Sequence, residues 1–409
     1  MSGSVSEKRK KLLFVSPRFL FPVDSGGKIR TTQILRGLKG GDYEIVLVSP
    51  ATPSQVERHR DAIDGVCDDF LFWPERQRGP LFPLLRLLHV VSALPIPIRN
   101  DWDRDAAALI AKLLADGPDV VVFDFLHSVV LAPETVEVPS VLFTHNVESE
   151  IFDRHQERAT RWFMRALWRA QARKMSRFEA SALSRFDVVV AVSERDGKMF
   201  HDRFGCGTTH VIPTGVDLDF FSFAEPVRSG EVVFCGSMDW VANQEAIQYF
   251  MDEIWPLVVA AEPEARMKVV GRDPPAWLAE RASSRGLNWS FTGFVDDVRP
   301  HVQGTAVSVI PMNIAGGTRL KAYEALAMGS PLVSTSIGIE GLPLEDGTHC
   351  LVANDARSFA DAVISLLRDR ARRLELAGNA RHYVQENFSY RVASASFAEA
   401  CERARTGSP

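Results

Sequence analysis

No apolar run in the 409-residue chain reaches the ~20 residues that a membrane-spanning helix needs. The nearest approach, residues 81–98, is interrupted by Arg86 and by Pro83, Pro95 and Pro97. The opening MSGSVSEKRKK is polar and basic, and the LLFVS that follows is too short for the core of a signal peptide. Cysteine is scarce: Cys67, Cys206, Cys235, Cys350 and Cys401 stand apart, with no C-x-x-C pair, which excludes a disulfide framework and suits a reducing compartment. A basic surplus is also missing. Lys and Arg number 47 against 52 Asp and Glu, a net charge of −5, so a general nucleic-acid binder is not expected. Internal repeats and low-complexity tracts are absent as well. These absences lead us to expect a soluble, cytoplasmic chain, with peripheral contact at the inner face of a membrane as the closest approach to a bilayer.

What is present is ordinary globular composition, 46% hydrophobic and 24% charged, over a length that suggests two to three domains. Short runs of Val, Leu, Ile and Phe alternate with helix-length segments, as in parallel sheets covered on both faces. The expected strands are Lys11–Ser16, Glu44–Val48, Val120–Phe123, Val141–Thr144, Val188–Val192 and His210–Ile212. A second series follows at Val232 onward, Met267–Val270, Trp289–Thr292, Ala306–Ile310 and Pro331–Ser334. Between the series, Pro213–Glu231 is rich in turn formers and lacks helical period. We therefore expect an α/β protein of two Rossmann-like domains, 1–213 and 231–386, with a linker at 214–230 and a cleft between the domains. The last segment, 387–409, is expected to form a helix returning to the first domain and tuning its closure. Ligands of such sheets bind beyond the carboxyl ends of the strands.

The loops at those ends carry the candidate chemistry. Gly26 and Gly27 precede a helix at Lys28–Leu38, where bare backbone amides and the helix dipole suit a phosphate, although a Gly-Gly pair is equally common punctuation. His145, in FTHNVES, is expected at the carboxyl edge of its strand facing the cleft, able to donate to a sugar hydroxyl; a turn histidine is the plain alternative. Glu148 and Glu150 follow it, placed as helix-starting acids. Arginines at 158, 161, 165, 169, 173 and 177 recur at helical spacing among Trp162, Phe163, Leu167 and Trp168. That pattern fits an anionic surface or an acidic acceptor, or simply a solvated helix face. The apolar stretch Pro80–Ile98 has the character of an acceptor groove, a bilayer contact or core.

In the second half, Ala306–Ile310 feeds Gly316, Gly317 and Thr318 and then a helix starting near Arg319. The amides of Gly317 and Thr318 suit a diphosphate, with charge added by Arg319 and Lys321. Glu324, one to two turns into the helix, is placed to accept both hydroxyls of a ribose.

In order along the chain, SPRFLFPVDSGGKIRTTQILRGL, THNVES, VIPTGVDLDFF, FCGSMDWVANQEAIQYF, VVGRDPPAWL, FTGFVDDVRP and GGTRLKAYEALAMGSPLVSTSIGIEGL together resemble the retaining GT-B glycosyltransferases of the GT4 family. The last of these and GVDLDFF are the specific ones. The resemblance implies transfer of a sugar from a nucleotide diphosphate to a hydroxyl with retention, by front-face attack and without a metal or other cofactor. Glu324 matches the second glutamate of the family's E-x7-E motif, the one that holds the ribose. Gly317 and Thr318 match the amide donors to the diphosphate, and Gly26 and Gly27 the loop reaching it from the first domain. His145 matches the histidine near the reacting carbon, with Arg319 and Lys321 offsetting the leaving charge. Gly293 and Phe294 fall where the backbone meets the base; Gly236, Ser237 and Arg272 complete the donor side.

Two departures stand out. Gly316 occupies the place of the first E-x7-E glutamate, a feature of a subgroup carrying G-G-T-R-L-K. Ser237 and Asn243 stand where many members carry Arg and Lys. The Asp217–Asp219 and Asp103–Asp105 pairs have metal-like D-x-D spacing but fall in a linker and a helical segment, so no metal site is expected. A nucleotide-sugar epimerase of the same fold, with Glu148 and Glu150 as its acid and base, and a non-catalytic nucleotide-sugar-binding protein are the competing readings. The expected acceptor is a lipid-linked glycan or a small hydroxyl compound.

Overall fold

The computed structural model describes residues 8–75, 89–159, 161–313 and 320–407. The chain divides into two compact units, one holding everything up to Gly215 together with the chain from Tyr390, the other holding Val216–Ser389.

The first unit is built on β1 (Lys10–Val15), β2 (Tyr43–Ala51), β3 (Asp69–Pro74), β4 (Val120–Asp124), β5 (Ser140–Phe143), β6 (Val188–Ala191) and β7 (Thr209–Val211). They pair in the order β3-β2-β1-β4-β5-β6-β7, and every pairing is parallel. The continuous apolar runs follow from burial on both faces: Leu12 and Phe14 enter one core, Leu13 and Val15 the other. Helix α1 (Gly26–Leu38) covers the first face through Ile34 and Leu35. The opposite face receives α3 (Trp162–Leu183) through Ala172, Met175, Ala182 and Leu183, and Phe200 of α4 (Glu194–Phe204). Helix α2 (Glu148–Arg158) packs along α3.

The second unit repeats the plan with β8 (Arg228–Cys235), β9 (Arg266–Val270), β10 (Trp289–Phe291), β11 (Thr305–Ile310), β12 (Leu332–Ser334) and β13 (Leu351–Val352). Their order is β10-β9-β8-β11-β12-β13, again parallel throughout. Helix α5 (Leu320–Ala327) leads from the loop after β11 toward β12.

The apolar runs named from the sequence form strands, with β2 and β8 longer than expected; β8 begins at Arg228, inside the stretch anticipated as linker. Two strands were not anticipated. β3, DFLFWP, is a half-exposed edge strand that closes on a proline, so it lacks the aliphatic run of a central strand. β13 has only Leu351 and Val352, too short for any periodicity to register.

The final helix α6 (Tyr390–Thr406) belongs to the first unit and completes its core. Phe397 packs edge-on against Phe143, with ring centroids 5.0 Å apart. Glu402 accepts from Lys10 Nζ at 2.8 Å and from Tyr43 Oη at 2.6 Å. Burial opposes its charge, but these donors outweigh that and hold its pKa down at about 2. Gly37 lets α1 approach α6, because a Cβ there would lie 2.1 Å from Ser394 Oγ, which is itself bonded to Tyr390 O at 2.7 Å. Gly37→Val should therefore cost about 1–3 kcal/mol by overpacking, read as a lower unfolding temperature by circular dichroism. Gly378→Ala, with no atom within 4 Å of the new Cβ, should hold or raise that temperature. Equal temperatures for the two variants would refute this account of the α1–α6 contact.

Candidate functional site

In the second unit the place to look is where the strand order reverses, between β8 and its neighbours β9 and β11. β8 ends at Cys235, and Gly236 and Ser237 follow. A Cβ on Gly271, at the end of β9, would lie 1.9 Å from Gly236 O, so only glycine permits the two strand ends to come this close. Gly271 also bridges to Gly293, whose φ of 68° is a left-handed conformation. Gly293 in turn presents Phe294, 73% exposed. The expected residues Gly236, Ser237, Arg272, Gly293 and Phe294 thus share one rim.

Their side chains are wired to the helix after β11. Lys321 Nζ donates to Asn243 Oδ1 at 2.9 Å and lies 4.6 Å from the Phe234 ring centroid. Asn243 Nδ2 donates to Ser237 O at 2.7 Å. Arg272 Nε donates to Ser237 Oγ at 2.9 Å, while its Nη2 pairs with Asp239 at 3.2 Å. Arg272 is therefore tethered to the rim by a hydrogen bond and an ion pair.

Glu324 differs from all of these. Among the described residues its carboxylate has no hydrogen bond and no ion pair, and it lines a cavity of about 20 Å³ with Lys321, Val233, Cys235, Ile310 and Met328. Burial alone raises its pKa to about 7. A carboxylate left without donors in such a place is costly unless something else supplies them. Gly316, Gly317, Thr318 and Arg319 lie outside the described residues.

The first unit has a corresponding reversal between β1 and β4. Helix α1 starts at Gly26 with no side-chain cap and no acid in its first turn, which leaves its amides open to an anion. Gly27 also makes room for an aromatic ring, since a Cβ there would meet Phe125 at 2.5 Å. Phe125 has φ 61°, a strained conformation for a bulky residue, and its ring stacks on His145 with centroids 3.8 Å apart.

His145 sits at the carboxyl edge of β5, as expected, with its ring enclosed rather than open to solvent. The residue is only 4% exposed, enclosed by Phe125 and Phe143. Its Nε2 contacts Asp124 Oδ1 at 2.8 Å, and Arg30 Nη1 approaches Nδ1 at 3.4 Å. Arg30 can only donate, so Nδ1 accepts and the proton sits on Nε2, directed at Asp124. Burial lowers the His145 pKa, partly countered by Asp124, and burial also brings Arg30 down to about 10. Asp124, fully buried, accepts further from Ser16 Oγ and Thr31 Oγ1, each at 3.0 Å. Asp124, Arg30 and Phe125 were not among the expected residues. The aspartate closing the VVVFD strand was the available signal, since a charge ending a buried strand requires partners.

Beside this cluster His127 Nδ1 bonds Asp101 at 2.6 Å and Nε2 lies 3.8 Å from Glu148. Burial opposes its charge, yet the two carboxylates prevail and raise its pKa to about 9. Glu179 reaches from α3 to accept from the amides of Glu148 and Ser149 at 2.8 and 3.0 Å, capping α2. Glu150 is ion-paired with Arg154 and Arg195, which hold its pKa low.

The D-x-D pairs have structural roles. Asp217 Oδ1 accepts from the amides of Asp219 and Phe220, and Asp103 caps its helix through the amides of Asp105 and Ala106. Of Pro80–Ile98, the part through Leu88 lies outside the described residues. The remainder forms a short turn at His89–Val91 and enters a helix at Ile96–Asp101.

Both halves of the chain match glycosyltransferase families. Residues 25–220 match the Glycosyltransferase Family 4 model, and residues 229–369 match Glycosyl transferases group 1. Among curated relatives, a protein of the cps region of Klebsiella pneumoniae is 25% identical over 41% of this chain and 45% of its own. The phosphatidyl-myo-inositol mannosyltransferase of Mycobacterium leprae is 28% identical over 39% of this chain and 44% of its own. The chain thus spans about half the length of these relatives. Among solved structures, Anabaena HepE in complex with UDP and glucose gives a TM-score of 0.63 at 15% identity, covering 96% of this chain and 100% of that one. Sucrose-phosphate synthase of Thermosynechococcus elongatus gives 0.68 at 17%, covering 98% and 100%. These neighbours share the fold, GT-B, and the family matches with the mannosyltransferase relative support a GT4 glycosyltransferase.

The raised pKa of Glu324 has a stability consequence. A carboxyl whose folded-state pKa lies above its unfolded value stabilises the fold below the unfolded value, and that contribution is lost as pH rises through about 7. Glu324→Gln should match the ligand-free wild type in unfolding temperature at pH 4 and exceed it at pH 8. Identical temperatures at both pH values would show that the carboxylate is not desolvated.

Proposed function

We propose that the protein is a glycosyltransferase that moves a sugar from a nucleoside-diphosphate donor to a hydroxyl acceptor with retention at the anomeric carbon. The observation that carries this reading is Glu324, a carboxylate without partners among the described residues, in the crevice where β8 and β11 diverge. Two ribose hydroxyls supply the hydrogen bonds it lacks. The close-packed strand ends at Gly236, Gly271 and Gly293 bring backbone within reach of the nucleotide, and exposed Phe294 gives the base a ring to stack on. The Anabaena neighbour was solved with UDP and glucose, which agrees with this ligand class.

In the reaction the bond between the anomeric carbon and the diphosphate oxygen breaks. The acceptor oxygen bonds to the same face of that carbon, and its proton passes to the departing diphosphate. Lys321, fixed by Asn243, and the N-terminus of α5 lie on the side where that negative charge grows. Basic groups and helix dipoles serve here in place of a metal. His145 takes no proton in this scheme. Its Nε2–H is committed to Asp124, and it acts by holding Phe125 and the Gly26–Gly27 turn in position. The epimerase alternative loses support because Glu150 is tied up by Arg154 and Arg195, and Glu148 faces His127.

Calorimetric titration with UDP, GDP, dTDP and ADP, first without and then with a divalent ion, tests the reading. One nucleotide should bind without metal, and Glu324→Ala should weaken it at least tenfold. Absence of binding, or binding only with the ion, would overturn it.

A further inference from the structure

A groove of about 440 Å³ runs between α2, α3 and α4 in the first unit, and the transfer reaction just described makes no use of it. It is lined by Asp153 and Gln156 of α2, by Arg169, Arg173 and Arg177 of α3, and by Arg203 of α4. Four guanidinium groups thus face one carboxylate, in a chain whose net charge is −5. Asp153 is already paired with Arg203, at 3.1 Å. Among the described residues, Arg169, Arg173 and Arg177 have no hydrogen bond, ion pair or ring contact.

The arrangement on α3 runs against the usual charge pattern of a helix surface. Residues four apart are neighbours, and opposite charges there stabilise while like charges repel. Here 161, 165, 169, 173 and 177 are all arginine. The ladder's surroundings change along its length. Arg165 turns back to bond Ala159 O at 3.2 and 3.3 Å, whereas the next three rungs line the groove unneutralised. Ser181, one step beyond, offers no acid. The repulsion is left for a ligand to relieve.

We propose that this groove is an oxyanion site that takes a phosphate or diphosphate group of the acceptor. Guanidinium forks match phosphoryl oxygens in bidentate pairs. Arginines spaced over two turns span about 12 Å, more than one isolated carboxylate neutralises and suited to several phosphoryl oxygens at once. Naming the ligand as acceptor rests on the transferase reading; the oxyanion site itself does not. Trp162 and Phe163, 82% and 48% exposed at the start of α3, offer an apolar contact on the same helix should the phosphate belong to a lipid headgroup.

The test uses the full chain and two probes. Inorganic pyrophosphate is titrated by calorimetry. Phosphatidylcholine vesicles with and without phosphatidylinositol are used in co-sedimentation. The wild type should bind at least one probe, more weakly as salt rises. The triple variant Arg169→Gln, Arg173→Gln, Arg177→Gln should lose that binding at least tenfold while its unfolding temperature holds or rises and its nucleotide titration is unchanged. Should the triple variant unfold early, Ser176→Glu places a carboxylate in the same groove and should produce the same loss. Binding confined to pyrophosphate identifies a soluble phosphorylated ligand, and binding confined to phosphatidylinositol vesicles a headgroup. The inference is overturned if neither probe binds, or if a folded variant binds as the wild type does. Because nucleotide binding is measured separately, its failure would count against the transferase reading alone.

Discussion

The first strand of each unit lies in the interior of its sheet, and the candidate site residues of each unit follow from that placement. From β1 the chain crosses to β2 on one side, while β4 joins the other; from β8 it crosses to β9, while β11 joins opposite. Right-handed crossovers then put the connecting helices on opposite faces. The cores show it: Ile34 and Leu35 of α1 belong to one face, while Ala106 and Ile110 of the helix before β4 belong to the other. Loops leaving adjacent strands therefore diverge, and a crevice opens at the carboxyl ends where backbone amides can face a ligand.

What fills each crevice differs in how far its carboxylate is satisfied by the fold. Asp124, at the end of β4, receives hydrogen bonds from Ser16, Thr31 and His145. Those donors offset the desolvation of a fully buried carboxylate and freeze the surrounding loops, including the strained backbone at Phe125. Glu324, beyond β11, has none of this support among the described residues. The first carboxylate is engaged by the fold. The second has no such donors in the described fold, and under the proposed function the hydroxyls of a bound ribose would supply them. The arginines of α3 pose the same contrast in positive charge, with Arg165 bonded to Ala159 O and the next three without a hydrogen bond or ion pair among the described residues.

Much of the architecture was legible because burial on both faces leaves a signature in consecutive residues. KLLFV, VVVF and TAVSVI read as strands for the reason that makes them strands. DFLFWP escaped because an edge strand is wetted on part of its surface, and Leu351–Val352 because two residues carry no period. The donor-side glycines were legible as residues permitting close approach, and the structure shows what they approach: Gly271 meets Gly236, and Gly27 meets Phe125. The histidine was legible only as a position. That its ring is enclosed depends on Phe125, twenty residues earlier, and on Arg30, 115 residues earlier.

Two series of parallel strands, the loops that end them, and the placement of Glu324 and the α3 arginines on helices are all written locally, because each is a pattern of spacing and burial along the chain. Which polar groups are already paired is not written locally. Thr31 reaches Asp124 across 93 positions and Lys321 reaches Asn243 across 78. Such pairings arise only when the sheet brings distant strand ends together, and no local spacing encodes them. Whether a carboxylate or guanidinium is neutralised or still open to a ligand is therefore settled in three dimensions.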